Sequence, residues 1–420
     1  MSSFPLSSEV SRYASEMRGS SVPLSEAFLD TSFCTRFNIP ERYQEHFDEL
    51  RNGILTFCKD FQIPNEALKD LKAFGDALTS HRPLIPLERI GQVLPLFQEL
   101  EHLVTNKEPF EEEPSEPLEY AEHLYHLKEQ YASQVALLER VGILKEGAIT
   151  GIDGHRYPIP TLEQISARLF EQKETLRAKR DQGFTKLLLV PFGMSLGSLI
   201  DIFQQFLFDY KQTHATFILC DESPIHMWDY READIGDHPE LIYDPKSFDR
   251  GEYQGKTKIR ILEEQRNNQD SFSGWKVHLF QPSDPDNSDS PGFASVPGEC
   301  KGTMHGKKFP RLDLEAGQTP KEYLSILQEA QNDPTSPYYH EFGIILEDWI
   351  LAFTTHLAET GEPLDNILNP TGDFCYLLGA LFLPHHSVPT AVYSRQIHFV
   401  GDVPDECGDG LGTRFSVRIS

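Results

Sequence analysis

Cysteine is scarce in this chain, and the cysteines that occur follow no disulfide or metal-binding pattern. The 420 residues contain six, at positions 34, 58, 220, 300, 375 and 407, with no Cys-x-x-Cys spacing among them. Disulfide-stapled domains and zinc ribbons both need closely spaced cysteines. The sequence therefore predicts reduced and mostly buried thiols.

The sequence also has no long apolar runs and few positively charged residues. No segment approaches the roughly 18 apolar residues of a membrane span, and the N-terminus has no apolar stretch resembling a signal-peptide core. The 38 Lys and Arg residues face 65 Asp and Glu residues, which gives a net charge of -27. Such a charge repels phosphate backbones and anionic lipids. We therefore predict a cytoplasmic protein with neither a nucleic-acid nor a membrane partner.

Three stretches that could carry metal or phosphate chemistry lack a defining part. Gly302–Lys308 has the wrong glycine spacing for a phosphate-binding loop and no Ser or Thr after its lysine. Asp284–Asp289 lacks the glycine and the distal glutamate of a calcium loop. His385 and His386 have no third ligand at a metal-like spacing. The sequence predicts no catalytic residues, no metal site and no cofactor.

The length of the chain predicts more than one folded unit, because single cores stop growing at roughly 250–300 residues. Apolar residues recur at helical spacing in the first part, and a segment rich in glutamate and proline then interrupts the pattern. The predicted organisation is a helical region at 1–106, a linker at 107–119, a helical hairpin at 120–182 with a short β-hairpin at 148–159, and an α+β domain at 183–420.

Several elements of the last domain have strong local signals. Lys186–Val190 reads as a buried strand followed by an amphipathic helix, and Thr319 with Glu322 forms a capping box. Phe342–Leu357 predicts a helix that ends at Gly361, with Trp349 and Phe353 in the core. This pattern leaves the pair Glu347 and Asp348 on the polar side of that helix. Further strands are predicted at 216–219, 275–280, 374–383, 388–392, 397–400 and 413–419, with antiparallel pairing.

The last part of the sequence resembles a known family. The segments Phe374–Gly379, Val388–Pro389, Ser394–Phe399, Asp402–Asp405 and Gly412–Arg418 follow one another as in the C-type-lectin-like domain of formylglycine-generating (sulfatase-modifying) enzymes. The same fold carries the variable proteins of diversity-generating retroelements. The stretch from Leu187 onward is similar to uncharacterised bacterial proteins of that kind. The resemblance implies an α+β fold of short antiparallel strands and amphipathic helices.

The sequence departs from the family pattern at two points, and both bear on the function that the resemblance implies. Formylglycine-generating enzymes use a pair of cysteines before the closing strands, where this chain has Ser387 and Ser394. The calcium-dependent sugar motifs of the wider fold, such as Glu-Pro-Asn, are absent as well. The resemblance therefore implies a binding module in preference to an oxidase or a calcium lectin.

In variable proteins of the retroelement class, fixed positions hold a scaffold while residues between them form an adaptable face. The resemblance assigns the binding face to Thr390, Tyr393, Ser394, His398, Asp402, Asp405 and Asp409. It assigns the scaffold to Pro389, Arg395, Phe399, Pro404, Gly412 and Arg414. Arg414 is expected to bond carbonyls or a carboxylate inside the domain, because one guanidinium offers five donors.

Three functions stay open at this point. The first is a protein that displays a ligand- or protein-recognition face on a C-type-lectin-like domain, as the target protein of a diversity-generating retroelement does. The second is an enzyme of the formylglycine-generating superfamily with altered chemistry. The third is a structural protein that forms homo-oligomers through its N-terminal helices. The sequence favours the first, with an unidentified protein or small ligand as partner.

Overall fold

The chain contains both helices and sheets in two compact units. The computed structural model describes residues 28, 39–40, 43–69, 71–80, 85, 87–106, 114–227, 230–236, 239–268, 271–285, 287–296, 317–368, 374–408 and 410–419. The described residues up to 106 belong to the first unit, and those from Pro114 onward belong to the second. The boundary, at residues 113 and 114, lies within the segment predicted as a linker.

The first unit is helical, as its apolar spacing predicts. It contains α1 (Gln44–Asp60), α2 (Leu71–Ser80) and α3 (Leu87–Asn106), with a 3₁₀ turn at Asn65–Lys69. Its core includes Phe74 and Phe97, whose rings stack with centroids 4.6 Å apart. The first unit therefore has a hydrophobic core of its own.

The second unit opens with four helices and a small hairpin. The elements are α4 (Pro117–Tyr125), α5 (Leu127–Arg140), β1 (Ala148–Thr150), β2 (Arg156–Pro158), α6 (Leu162–Glu171) and α7 (Lys173–Asp181). The hairpin at 148–159 is confirmed, and Thr161 caps α6 in a box with Gln164. A hairpin of two helices was predicted, but four helices form, because α4 ends at His126, which takes a left-handed conformation, and α6 ends at Gln172.

The remaining elements complete the second unit. They are β3 (Lys186–Val190), α8 (Leu196–Thr213), β4 (Ile225–Met227), β5 (Leu241–Tyr243), α9 (Lys258–Asn267), β6 (Lys276–Phe280), α10 (Pro320–Ala330), β7 (Glu341–Gly343), α11 (Leu346–Thr360), β8 (Phe374–Tyr376), β9 (Ala380–Phe382), β10 (Val388–Tyr393), β11 (Ile397–Asp402), β12 (Leu411–Thr413) and β13 (Phe415–Ile419).

Two sheets organise these elements. One has the order β3-β6-β13-β7 and is antiparallel throughout. The other has the order β12-β8-β10-β11-β4, and its two outer strands pair in parallel. Strands β5 and β9 form a separate antiparallel pair. The predicted antiparallel pairing therefore holds for the centre of the sheets and is wrong for β4 and β12.

The predicted separation of 120–182 from 183–420 is wrong, because both segments contribute to one hydrophobic core. Glutamines of α5 also cover the free edge of β3. The Oε1 of Gln130 accepts from the backbone N of Leu187 at 2.7 Å, and that of Gln134 accepts from Leu189 at 2.8 Å. An uncovered edge strand would expose unpaired backbone groups to other chains. Helix α5 is therefore part of the same folded unit as the sheet.

Helix α11 runs through the core of this unit. Trp349 and Phe353 are fully buried, as predicted, and the helix ends at Gly361, whose φ is +79°. Gly361 takes the left-handed conformation that glycine adopts without steric cost. Helix α10 begins with the predicted capping box of Thr319 and Glu322. The capping box, the end of α11 and the burial of Trp349 and Phe353 are therefore confirmed. The predicted start of the helix is wrong, because Phe342 lies in β7 and α11 begins at Leu346.

Other local predictions are wrong or lie outside the described residues. Residues 216–219 form no strand, and the predicted linker ends early because α4 begins at Pro117. The stretch Gly302–Lys308, residues 107–113 of the linker, and Asp409 lie outside the described part of the chain.

Candidate functional site

The tip of the β10–β11 hairpin is fastened to the core through Asp365. The carboxylate of Asp365 accepts from Trp349 Nε1 at 2.8 Å and from Arg414 Nη2 at 2.6 Å. Its backbone carbonyl accepts from the N–H of Tyr393, the last residue of β10, at 3.0 Å. One residue therefore binds the buried helix with its side chain and the hairpin with its backbone.

Tyr393 continues this connection outward. Its hydroxyl donates to the carbonyl of Ile218, and its own carbonyl accepts from the N–H of Ile367 at 3.0 Å. Its ring stacks on Phe217 with centroids 5.7 Å apart. Two chain segments far from the hairpin in sequence are thus held against its tip.

These contacts bring large apolar side chains to the surface. Six large apolar residues are exposed within the described residues, and three of them flank Tyr393: Ile218 at 55%, Ile367 at 39% and Leu368 at 53%. Exposed aliphatic residues scattered singly are ordinary, whereas a cluster marks an interaction surface. We call the group Ile218, Ile367, Leu368, Ser394 and Arg395 the tip surface.

The turn that completes the tip surface has a simple geometry. Tyr393 pairs with Ile397, so the loop consists of Ser394, Arg395 and Gln396. Three-residue hairpin loops place one residue in the left-handed region, and here Arg395 takes it with φ +68°. Its side chain is exposed, and its guanidinium forms no ion pair with any described residue. The scaffold role predicted for Arg395 is therefore wrong, because the residue serves as an exposed turn.

The predicted binding residues separate into three groups. Thr390 and Tyr393 are buried, at 0% and 2% exposure, so the prediction that they project from the domain is wrong. Both lie in β10, which has neighbouring strands on both sides. Ser394 and the half-buried His398 lie at the tip, with Ser394 Oγ 2.8 Å from His398 Nε2.

Asp402 and Asp405 lie at the other end of β11. From His398 to Asp402 the strand rises by about 13 Å, at roughly 3.3 Å per residue. Asp405 is exposed and lies 3.3 Å from Lys321 Nζ at the start of α10. The structure therefore does not gather the predicted binding residues into one face.

The other five residues predicted as scaffold do not lie at the surface. Pro389, Phe399, Pro404, Gly412 and Arg414 are all buried. Besides Asp365, the guanidinium of Arg414 donates to the carbonyl of Ala294. The predicted internal contacts of Arg414 are therefore confirmed.

A second group of functional side chains lies deep in the unit, where the sequence did not predict it. We call it the ionic core; it consists of Asp234, Tyr243, Asp244, Lys258, Lys276, His278, Glu347, Asp348 and Arg418. Lys258 Nζ lies 2.6 Å from a carboxylate oxygen of Asp234 and 2.6 Å from one of Glu347. Tyr243 donates to that Glu347 oxygen at 2.9 Å. The side chains of Lys258 and both carboxylates are fully buried.

The other half of the ionic core lies on the β6–β13 face of the four-stranded sheet. His278 and Arg418 are direct cross-strand neighbours, and Arg418 donates to Asp244 at 2.9 Å. His278 Nδ1 lies 3.0 Å from the Ser416 hydroxyl, and its Nε2 lies 3.4 Å from Asp348. The side chains of Asp244 and Arg418 keep partial exposure, at 30% and 20%. The ionic core thus reaches solvent only through this pair.

Burial and charge act in opposite directions on these groups. Burial alone would lower the pKa of Lys258, but Glu347 and Asp234 outweigh it and hold the pKa above its ordinary value. Burial lowers the pKa of Lys276 and of His278, for which the nearby acids compensate incompletely. His278 is therefore neutral at pH 7, whereas Lys258 and Arg418 are firmly charged cations.

The expectation that Glu347 and Asp348 lie on the polar side of α11 is wrong, because both are fully buried. Asp348 accepts from the N–H of Ile345 at 3.0 Å, which satisfies a free donor at the start of the helix. The innermost acids and Lys258 have no exposed surface, so no substrate reaches them. The ionic core joins α9, α11, β5 and the sheet, and its role is to position these elements.

One motif of serine hydrolases, Gly-x-Ser-x-Gly, occurs at Gly193–Gly197 between β3 and α8. In hydrolases its serine occupies a sharp, strained turn. Here Ser195 is an unstrained helix cap with φ −67°, and its oxygen accepts from the N–H of Ser198. The ionic core fixes this turn, since Lys258 donates to Met194 O and Asp234 accepts from Leu196 N. Ser195 makes no hydrogen bond to a histidine in the described structure. The motif therefore lacks the partner of a catalytic serine, and its serine serves as the N-cap of α8.

Metal and thiol chemistry have no assembled site in the described part of the chain. No group of three or more His, Cys, Asp or Glu side chains there could hold a metal ion. The four described cysteines, at positions 58, 220, 375 and 407, are unpaired, and burial raises the pKa of Cys58 to about 11. Cys34 and Cys300 lie outside the described residues. No helix among the described residues is long and apolar enough to cross a membrane.

The comparisons with known proteins give no relative. No family model, no curated protein and no solved structure matches this chain.

Proposed function

We propose that this chain is a binding protein whose second unit contacts a protein partner through the tip surface. One observation carries the proposal: of the six exposed large apolar residues of the described chain, Ile218 and Ile367 bind Tyr393 through their backbones, and Leu368 follows Ile367 in the chain. Burial of a large aliphatic side chain in a contact contributes about 1.5–3 kcal/mol, so three of them could form the centre of an interface.

Charge indicates the chemistry of the partner. Arg395 projects from the turn without an ion pair to a described residue, in a chain whose net charge is -27. An exposed arginine beside apolar residues suits a partner surface that offers a carboxylate at the rim of an apolar patch. The proposed partner is therefore a protein with an apolar patch bordered by acidic residues.

The C-type-lectin-like fold of 183–420 and the retroelement origin belong to the same proposal. Short strands, amphipathic helices and the internal contacts of Arg414 support the fold. If the segment encoding Val388–Gly412 is diversified, variation should be confined to positions that the structure leaves exposed or half-exposed. In the described part of the segment these are Ser394, Arg395, Gln396, His398, Val400, Gly401, Asp402, Val403, Asp405, Glu406, Cys407, Gly408 and Gly410.

The genomic neighbourhood tests the retroelement part. An adjacent reverse transcriptase gene and a near-copy of that coding segment, differing only at those codons, would support it. A neighbourhood with neither feature would contradict the retroelement origin. The binding proposal would be unaffected, because a separate experiment tests it.

A matched pair of substitutions tests the binding proposal. Ile367→Asp places a charge in the tip surface, whereas Ile259→Asp changes an isoleucine of nearly equal exposure, 38% against 39%, on α9. Both variants and the parent would be tagged, purified from the native host and compared by quantitative mass spectrometry. A partner retained by the parent and by Ile259→Asp but lost with Ile367→Asp is the expected result. Equal recovery with all three proteins would contradict the proposal.

A further inference from the structure

Ser394 belongs to the tip surface, but its hydrogen bond with His398 has no part in the proposed contact. The turn places Ser394 just after β10, and His398 is the second residue of β11. The hydroxyl oxygen and Nε2 are 2.8 Å apart, within hydrogen-bond distance. A serine hydroxyl held against an imidazole nitrogen is the basic unit of nucleophilic serine chemistry.

The surroundings keep the imidazole able to accept a proton. His226 of the neighbouring strand β4 lies directly opposite His398, with ring centroids 5.6 Å apart. Partial burial, and then the nearby His226, lower the pKa of His398 below its ordinary value. At neutral pH His398 is therefore unprotonated and has one basic ring nitrogen, and Ser394 is half-buried at the hairpin tip.

From this geometry we propose that Ser394 is an acylation site, with His398 as its general base and activated carboxylic esters as the substrate class. The Ser394 oxygen attacks the ester carbonyl carbon, and its proton passes to His398 Nε2. The carbon–oxygen bond to the leaving group then breaks, and the proton passes from His398 to the departing alkoxide or phenolate. The products are an O-acyl serine and a free alcohol or phenol. This proposal does not rest on the proposed contact function.

The test uses p-nitrophenyl acetate with the full-length protein. We expect a burst of p-nitrophenolate, close to one equivalent per chain, and one added acetyl group that peptide mapping places on Ser394. Ser394→Ala should abolish the burst. His398→Gln, which keeps a polar side chain but offers no base, should slow it at least 100-fold.

Two controls keep the result specific. Ser325→Ala removes an exposed serine whose hydroxyl faces the carboxylate of Glu329, and it should leave the burst unchanged. The burst rate of the parent should rise with pH and reach a plateau, and the midpoint of the rise should lie below the ordinary pKa of histidine. Acetylation at Ser195, or equal burst rates in the parent and in His398→Gln, would overturn the proposal.

Discussion

Arg414 and Asp365 show how one buried pair determines both stability and surface. The two side chains are 5% and 1% exposed, and Asp365 also positions the hairpin tip through its backbone. A buried acid that loses its cation keeps the cost of desolvation without the compensating attraction. Asp365, whose side chain is almost fully buried, therefore helps to determine the shape of the tip surface.

Arg414→Ala should destabilise the second unit by about 3–5 kcal/mol, because Asp365 and the carbonyl of Ala294 lose a common donor. Urea unfolding at pH 7 measures the change. Arg156→Ala, which removes an exposed arginine paired with Glu146, should change stability by at most about 0.5 kcal/mol. Equal midpoints for the two variants would show that the buried pair contributes little.

His356 gives the unit a pH dependence. Its Nδ1 accepts from the N–H of Phe293 at 2.9 Å, which requires an unprotonated nitrogen. Burial, followed by the charges of Arg414 and Lys186, lowers its pKa from 6.5 to about 3. Between these two values the unfolded chain binds more protons than the folded one. Stability therefore rises with pH in this window and falls as the pH is lowered through it.

From pH 7 to pH 5 this one group should remove at most about 2 kcal/mol of stability. His356→Gln keeps an acceptor for Phe293 but does not titrate. Other acids and histidines affect both proteins alike, so the variant should lose less stability than the parent over this interval. Parallel pH profiles, measured by chemical unfolding, would show that His356 is protonated equally in the folded and unfolded states.

At the scale of elements, the ionic core joins helices and strands that are far apart in sequence. Lys258 at the start of α9 contacts Glu347 at the start of α11 and Asp234 in the loop before β5. Burying a charged side chain costs free energy. That cost is offset only where each charge contacts several partners of opposite charge or hydrogen-bonding groups. The ionic core therefore fixes how these elements meet.

Lys258→Met should cost about 3–5 kcal/mol, because two buried carboxylates would lose their common cation. Lys256→Met is the matched control: Lys256 lies two residues earlier and pairs with Glu264 at 2.5 Å, with both side chains 46% exposed. An exposed pair of this kind contributes at most about 1 kcal/mol. If thermal melting separates the two variants by less than a degree, the ionic core is not a stabilising feature.

Elements with local signals could be predicted from the sequence. The strand Lys186–Val190 is a short apolar run, and α10 and the end of α11 are marked by their capping residues. Strands β4, β5 and β12 have three residues each and exist through partners distant in sequence. Local patterns contain no information about such partners.

The candidate site was predictable only in part, for a similar reason. Helical periodicity placed Glu347 on the polar side of α11, but neighbours surround this helix and bury both of its faces. Thr390 and Tyr393 were expected at the surface because their residue types are versatile in contacts, yet the sheet buries them. The exposure of Ile218 and Ile367 depends on how distant chain segments meet at the hairpin tip, which local sequence patterns do not show.

At the scale of the whole molecule, an acidic chain presents a small apolar surface that carries an arginine. Its two units divide within the Glu- and Pro-rich segment, and each has its own hydrophobic core. The large negative charge opposes indiscriminate association with other acidic proteins and leaves the tip surface as a local exception. The proposed recognition of a protein partner relies on this combination.

A photo-crosslinking amino acid introduced in the native host, at position 368 or at position 403, tests this claim most directly. Leu368 belongs to the tip surface and Val403 lies at the opposite end of β11, and their exposures of 53% and 50% make them a matched pair. We expect a discrete crosslinked protein from position 368 and none from position 403. No product from position 368, or the same product from both positions, would contradict it.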